Sequence, residues 1–336
     1  MGMTEDSATT PGRIDFHHHF MPTAMLTSGL FGDTTGWKFR DEDAWSPQVS
    51  VDFMDRLQID TAILSVPNDV ESRLPENKRH HFAREVNTLS RQAADDHPGR
   101  FGLFAHLPTP TDTDAALEEL TYAFDVLGAD GVTLTNVYGT GDQARSLGDP
   151  IFEPLWAELD RRNALVFLHG EQTPGSNRAP SRFLPTPISE TPNETYKGAA
   201  DLVTSGRKRQ YPNVRIILAH SGGSTPYLAA RVAALCAFHL DCELTADQII
   251  ADFRTFYYET ALSGFETNLV ALENFVDPSH ILFGTDFPAA NPRTAGWFTD
   301  NVDEYFATRP AMLAKVMHDN AFSLVPRLTG GAPAHR

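Results

Sequence analysis

Residues Ile14 to His19 read Ile-Asp-Phe-His-His-His. The first three have the make-up of a short buried strand, and three histidines follow at once. Successive side chains of a strand point to opposite faces, so His17 and His19 share one face and His18 points away. Two imidazoles side by side fill a core poorly, but neutral imidazole is the commonest metal ligand. A His-rich surface tract is the alternative. The apolar residues before the triplet, and Phe20, Met21 and Pro22 after it, weigh against that. Further along, His169 closes the apolar run 164–168, His220 closes 214–219, and Asp286 follows 281–283. His17, His19, His169 and Asp286 make a nitrogen-rich set with one oxygen, which suits Zn²⁺ first and Mn²⁺ or Fe²⁺ next. An ion held this way, with room for a water, acts as a Lewis acid and brings the pKa of that water toward neutrality. His220, followed by Ser-Gly-Gly, reads either as another nitrogen ligand or as a general acid/base beside that water.

The elements that must position these residues alternate along the chain. Apolar, β-branched runs at 13–16, 61–66, 100–107, 131–135, 164–168, 214–219, 255–261 and 281–283 are strand candidates. Helical patterns lie at 47–57 (with Ser46 before Pro47 as its cap), 77–94, 113–127, 150–162, 196–207, 225–239, 245–254, 266–276 and 311–320. Eight strand–helix pairs are the count for a (β/α)₈ TIM-type barrel. An open doubly wound sheet is the competitor, but no Gly-x-Gly-x-x-Gly opens the first helix. Residues 22–47 have no period and read as an insertion after strand one, and 137–148 is a glycine-rich loop. Residues 171–192 carry five prolines and read as a long loop after strand five, equally a lid or specificity element or a disordered surface excursion. No internal repeat or linker is evident. The expected organisation is a disordered tail at 1–12, one domain at 13–326 and a C-terminal tail at 327–336.

In such a barrel the C-terminal strand ends converge on one mouth. Four of the eight strands here end in a metal-capable or proton-transferring residue. Chance placement of buried polar groups explains one such residue, not the set. By contrast His80, His81, His97, His239, His280, His318 and His335 fall in helices, loops or tails, where surface placement is the default. His106, near the end of strand three, reads equally as pocket lining or as a satisfied core residue. Arg178 and Arg182 in the proline-rich loop could supply positive charge to an anionic substrate. Phe183 and Leu184 could cover an aromatic ring, and Phe20, Trp37, Tyr138 and Phe287 are candidate pocket walls.

The chain has 336 residues, 41% hydrophobic and 21% charged, with 44 acidic against 27 basic residues and a formal charge of −17. That field repels nucleic acid and anionic membrane, so neither is an expected partner. Cys236 and Cys242 suggest neither a disulfide framework nor a zinc cluster and suit a reducing cytoplasm. No apolar run is long enough to span a membrane, and residues 1–12 lack the apolar centre of a secretory signal.

The combination Asp-x-His-x-His at 15–19, His169-Gly170, Ala-His-Ser-Gly-Gly at 219–223 and Leu-Phe-Gly-Thr-Asp-Phe-Pro at 282–288 resembles the amidohydrolase superfamily. More narrowly it is similar to the branch of non-oxidative decarboxylases acting on 2-amino-3-carboxymuconate-6-semialdehyde, γ-resorcylate and 6-methylsalicylate. The likeness to the last of these extends to segments 61–66, 130–134, 201–206 and 216–227. The resemblance implies metal ligation by His17, His19, His169 and Asp286 and a catalytic role for His220. It also implies that Arg231 reaches the substrate carboxylate across the interface of a homodimer, where residue type alone suggests a surface charge. Some members replace the first histidine pair with a glutamate-containing version; this chain keeps both histidines. Thr133, Leu134, Thr135 and Asn136 stand where binuclear relatives carry a lysine, so one metal ion is expected. The activity implied is release of CO₂ from a small ortho-hydroxy or amino-substituted aromatic acid, either with Asp286 donating a proton and His220 tuning or relaying it, or with the metal-bound water taking the larger part. A lactone or amide hydrolase on the same scaffold is the alternative, separated by its product. A non-catalytic metal-binding barrel is the third reading.

Overall fold

The computed structural model describes residues 12–22, 45–66, 74–139, 141–170, 181, 183–240 and 242–330. Eight strands run parallel in one sheet in chain order: β1 (Arg13–His19), β2 (Ile59–Ser65), β3 (Phe101–His106), β4 (Gly131–Thr135), β5 (Leu165–His169), β6 (Arg215–Leu218), β7 (Tyr257–Glu259) and β8 (Ile281–Leu282). The segment after β8 returns to β1. Phe16 N donates to Phe283 O at 3.0 Å, Asp286 N to His17 O at 2.8 Å, and His19 N to Phe287 O at 2.7 Å. These bonds close the sheet on itself. The fold is a (β/α)₈ barrel.

Two apolar layers hold it. Inside, Ile14 and Phe16 of β1, Ile63 of β2, Phe104 of β3, Leu165 and Phe167 of β5, Ile217 of β6 and Leu282 of β8 form a packed plug, with Ala321, Leu324 and Val325 joined to it. Aromatic contacts tie this plug together: Phe104 stacks on Phe167 at 5.7 Å and tilts against Phe16 at 6.2 Å. Outside, residues pointing the other way from the strands, such as Ala62, Leu64, Val132, Leu134, Val166 and Leu168, meet the helices. Alternation therefore sends one set of each strand's side chains to each layer.

The helices follow from local chemistry. Ser46 Oγ accepts from Val49 N, Pro47 supplies a ready helical φ, and α1 (Pro47–Arg56) buries Val51, Phe53 and Met54. Then come α2 (Glu76–Asp96), α3 (Thr113–Asp125), α4 (Glu153–Arg161), α5 (Thr191–Thr204), α6 (Thr225–His239), α7 (Ala246–Phe253), α8 (Glu266–Phe275) and α9 (Pro292–Phe306).

The structure departs from the sequence expectations in several places. β1 runs through the histidine triplet instead of ending before it, because Phe20 N, His19 N and the seam bonds keep the chain extended. α9 was not anticipated, although Asn291 caps it through Thr294 N and Pro292 opens it. Within 137–148 a short hairpin pairs Val137–Tyr138 with Arg145–Ser146. The proline-rich loop ends early. Pro187 and Pro192 lie in the first turns of Thr186–Ser189 and α5, where a missing N–H costs nothing. Its residues 171–180, and residues 23–44 of the expected insertion, lie outside the described residues. The chain stays ordered past 326: Pro326–Gly330 forms a 3₁₀ turn, Arg327 pairs with both oxygens of Asp130 at 2.5 Å, and Leu328 packs on the barrel plug. His318, expected at the surface, is buried and lies 2.7 Å from Asp319 Oδ1. Among the described residues no helix is long and apolar enough to cross a membrane.

Candidate metal centre and active site

His17, His19, His169, His220 and Asp286 meet at the C-terminal mouth of the barrel, all but closed to solvent. His17 Nε2 lies 3.1 Å from His19 Nε2 and 3.3 Å from Asp286 Oδ1, and His19 Nε2 lies 3.0 Å from Asp286 Oδ1. The His169 ring centroid stands 5.2 Å from that of His17, 5.6 Å from that of His19 and 5.2 Å from that of His220. His220 Nε2 approaches Asp286 Oδ2 at 3.5 Å.

The outer nitrogens explain why the inner ones converge. His17 Nδ1 is 2.8 Å from Glu259 Oε1, and His169 Nδ1 is 3.1 Å from Gly170 O. His19 Nδ1 is 3.4 Å from Ser65 O and 3.2 Å from Ser65 Oγ. A proton on each Nδ1 satisfies these acceptors and leaves three Nε2 lone pairs aimed at one point. Two such lone pairs 3.1 Å apart repel unless a cation lies between them. Asp286 Oδ1 and His220 Nδ1 are also buried without a hydrogen bond of good geometry. Lone pairs without protons and a carboxylate oxygen without a donor are what a divalent ion satisfies, so the donor set fits one.

The electrostatics agree. Burial works against a charged His17, yet Glu259 and Asp286 beside it outweigh burial and push its pKa up to about 10. Burial lowers His169 well below the ordinary imidazole value, helped by His220 and His17, and burial also lowers His19. Burial would raise Asp286, but His17, His19 and His220 together hold its carboxyl well below the usual range. The pocket is therefore built to hold positive charge, and one divalent ion supplies it without protonating a ligand.

The backbone is strained at this mouth. Asp286 (φ 63°), His220 (φ 55°) and Ser221 (φ 54°) all take left-handed conformations. Such conformations are uncommon for non-glycine residues and persist where surrounding bonds impose them. Gly223 (φ 59°) follows them, and a Cβ there would stand 1.8 Å from Pro192 O, which explains the second glycine of Ser-Gly-Gly.

His18 turns away, as alternation requires. Its Nδ1 lies 3.0 Å from Asp15 Oδ2 and its Nε2 2.8 Å from Ser50 Oγ. Asp15 in turn accepts from His17 N and from both Thr285 N and Thr285 Oγ1, so it ties the loop bearing Asp286 to β1.

The remaining candidates divide. Phe287 is not a pocket wall: its ring stacks on Phe53 at 4.0 Å and touches His18, on the packed side of β1. Tyr138 is also a core residue, set against Phe152 with its hydroxyl taken by Thr135 N. Phe20 packs edge-on against Trp45. His106 is buried, clamped through its backbone by both ends of the Asn87 amide, with its ring edge-on to Phe82. Arg231 lies exposed on α6 and does not enter the cluster of its own chain. Phe183 and Leu184 are exposed. Trp37, Arg178 and Arg182 lie outside the described residues. Sequence reasoning missed Glu259, whose run Tyr-Tyr-Glu-Thr offers no motif.

Residues 14–327 match the amidohydrolase family. The chain is 40% identical over 329 residues to the 6-methylsalicylic acid decarboxylase of Aspergillus aculeatus, covering 94% of this chain and 96% of the relative. It is 28% identical over 299 residues to the γ-resorcylate decarboxylase of Rhizobium sp., covering 85% and 91%. A solved dihydroxybenzoic acid decarboxylase from Polaromonas with bound manganese superposes with a TM-score of 0.78 at 23% identity, covering 94% and 97%. The chain belongs to the amidohydrolase family.

Proposed function

We propose that this chain is a metal-dependent, non-oxidative decarboxylase, a carboxy-lyase that releases CO₂ from a small ortho-hydroxybenzoate-like acid. The observation that carries this reading is the buried set of three inward Nε2 atoms and the donorless Asp286 Oδ1 in a chain 40% identical to a 6-methylsalicylic acid decarboxylase. His17, His19, His169 and Asp286 are the proposed ligands of one Zn²⁺ or Mn²⁺ ion. Bound there, the ion supplies Lewis acidity that draws charge from the substrate's ortho oxygen and carboxylate.

The chemical problem is the electron pair left when the ring–carboxylate bond breaks. Asp286 addresses it by placing a proton on the ring carbon that bears the carboxylate. A C–H bond forms at the expense of a ring π pair. The bond to the carboxylate then breaks, its pair restores the aromatic ring, and CO₂ departs. Asp286 is ionised before this step, because His17, His19 and His220 surround it. It therefore takes up its proton first, and His220, 3.5 Å away, is the group in reach to deliver it. Ring carbon and donor are held in one dry mouth, so little reorganisation accompanies transfer.

An anionic substrate also needs a cation, and Arg231 is the one we assign, from the second copy of a homodimer. Tyr227, Arg231, Leu235 and Phe238 are exposed at helical spacing on α6, a stripe of apolar surface around one charge. Covering that stripe with a second copy would bury it and bring each Arg231 to its neighbour. If so, R231A and D286N proteins are each inactive, but their co-expressed mixture regains activity. Hybrid dimers hold one intact site in two, so recovery should reach about a quarter of wild type. No recovery, with dimers formed, would remove Arg231 from the partner's site. The free thiols Cys236 and Cys242 suit a reducing, cytoplasmic setting.

The direct test is incubation of metal-loaded protein with a panel of ortho-hydroxybenzoates while following CO₂. Release of CO₂ with the decarboxylated phenol is expected. Opening of a lactone or amide with no CO₂ would replace the reading with hydrolysis.

A further inference from the structure

Glu259 ends β7 fully buried. Its Oε1 lies 2.8 Å from His17 Nδ1 and 2.5 Å from the backbone nitrogen of His220, and its Oε2 accepts from Ala261 N at 2.6 Å. A buried carboxylate is expensive unless its oxygens are met by donors, and here every contact is a donor. Two of the three belong to opposite sides of the reaction centre: the ring of a proposed metal ligand and the backbone of the proposed proton relay.

We propose that Glu259 is a positioning residue that couples the metal to His220. Through Oε1 it sets the His17 proton on Nδ1, which leaves Nε2 free to face the ion. Through the same atom it holds His220 N, and with it the left-handed backbone that turns His220 Nε2 toward Asp286. A change in the pull of the ion on His17 is thereby felt at the oxygen that anchors His220. The coupling needs no contact between Glu259 and the ion or the substrate.

Gly284 supports this assignment independently. A Cβ at residue 284 would stand 2.1 Å from Glu259 Oε2 and 2.9 Å from His17 Cβ. The glycine of the Gly-Thr-Asp run therefore clears the space in which the carboxylate lies. A glycine there has no φ requirement of its own, since its φ is not in the left-handed range. Its requirement is steric, and Glu259 is the group it accommodates.

The inference rests on the metal reading above, and its test is read without substrate. Zn²⁺ affinity is measured by chelator competition for wild type, E259Q, E259A, G284A and the E259A/G284A double variant. Gln keeps the volume and can still accept from His17, but it loses the charge and cannot meet all three donors. Loss of an outer partner of this kind weakens metal binding by roughly 10–100-fold. E259Q should fall in that range, and E259A beyond it. G284A should weaken Zn²⁺ in the wild-type background and change it much less once the carboxylate is gone, the non-additivity expected of two residues in direct contact. The ¹⁵N shifts of the His17 ring in the Zn²⁺-loaded protein should report protonated Nδ1 in wild type and lose that signature in E259A. E259Q keeps the shape of the side chain, so it decides the matter where E259A fails to fold. Wild-type Zn²⁺ affinity in E259Q, or equal cost of G284A with and without Glu259, would overturn the proposal. A protein that binds Zn²⁺ in this Glu259-dependent way but releases no CO₂ would overturn the decarboxylase reading alone.

Discussion

D286N protein loaded with Zn²⁺ or Mn²⁺ is expected to release CO₂ at least ~10³-fold more slowly than wild type, since general acid catalysis alone contributes about 10²–10⁴-fold. The residue carries two burdens. Its Oδ1 faces His17 and His19, and its Oδ2 faces His220. Asn retains the shape and one oxygen but has no proton to give to carbon. Its amide would also set N–H groups against imidazoles that lose a counter-charge. The measurement is single-turnover CO₂ release beside metal content, so that lost metal and lost chemistry are separated. Metal-loaded D286N with undiminished turnover would exclude Asp286 as the donor.

The second large effect contrasts neighbours. H17A should remove nearly all bound metal, because it deletes an inward nitrogen and leaves Glu259 facing a void. H18A should keep close to a full complement of metal. His18 meets Asp15 and Ser50, so its loss removes one hydrogen bond from each of two buried groups that keep other partners, and leaves a cavity, at a cost of about 1–3 kcal/mol of stability. Elemental analysis after dialysis, together with denaturant unfolding, reads both. Equal loss of metal in the two variants would mean that β1 does not present its histidines as described.

Much of the fold is legible in the sequence. The barrel strands announce themselves because most are short apolar runs rich in β-branched or aromatic residues, and the mouth shows because His169 and His220 close such runs and Asp286 follows one after Gly284 and Thr285. What stayed hidden depends on partners distant in sequence. Glu259 looks like an ordinary strand carboxylate, and only His17, 242 residues earlier, gives it meaning. Phe287 beside Asp286 looked like a pocket wall. The positive φ of Asp286 and the bonds of the seam turn its neighbour to the packed side, a rotation that residue type does not reveal. α9 is hidden for a different reason. Its Asn-Pro start was readable, but Gly296 and the polar residues 299–301 weakened the periodicity of a helix that buries only one narrow side. The burial of Tyr138 is hidden because its two-residue strand is held by a hairpin too short to leave a pattern.

The seam between β8 and β1 has a consequence for how the protein is made. The first proposed ligands stand at residues 17 and 19, and the last at residue 286. No partial chain lacking the final strand can assemble the site, whatever the supply of metal. In a nascent chain the histidine pair therefore precedes Asp286 by 267 residues, and loading of the full site can follow only once the segment bearing Asp286 has emerged. An ion then bound by β1 and by the loop after β8 would join the two ends of the sheet. Metal would act as the clasp of the barrel, and chelation should loosen the seam first, observable as faster amide exchange at His19 and Asp286 than at residues of β4 or β5.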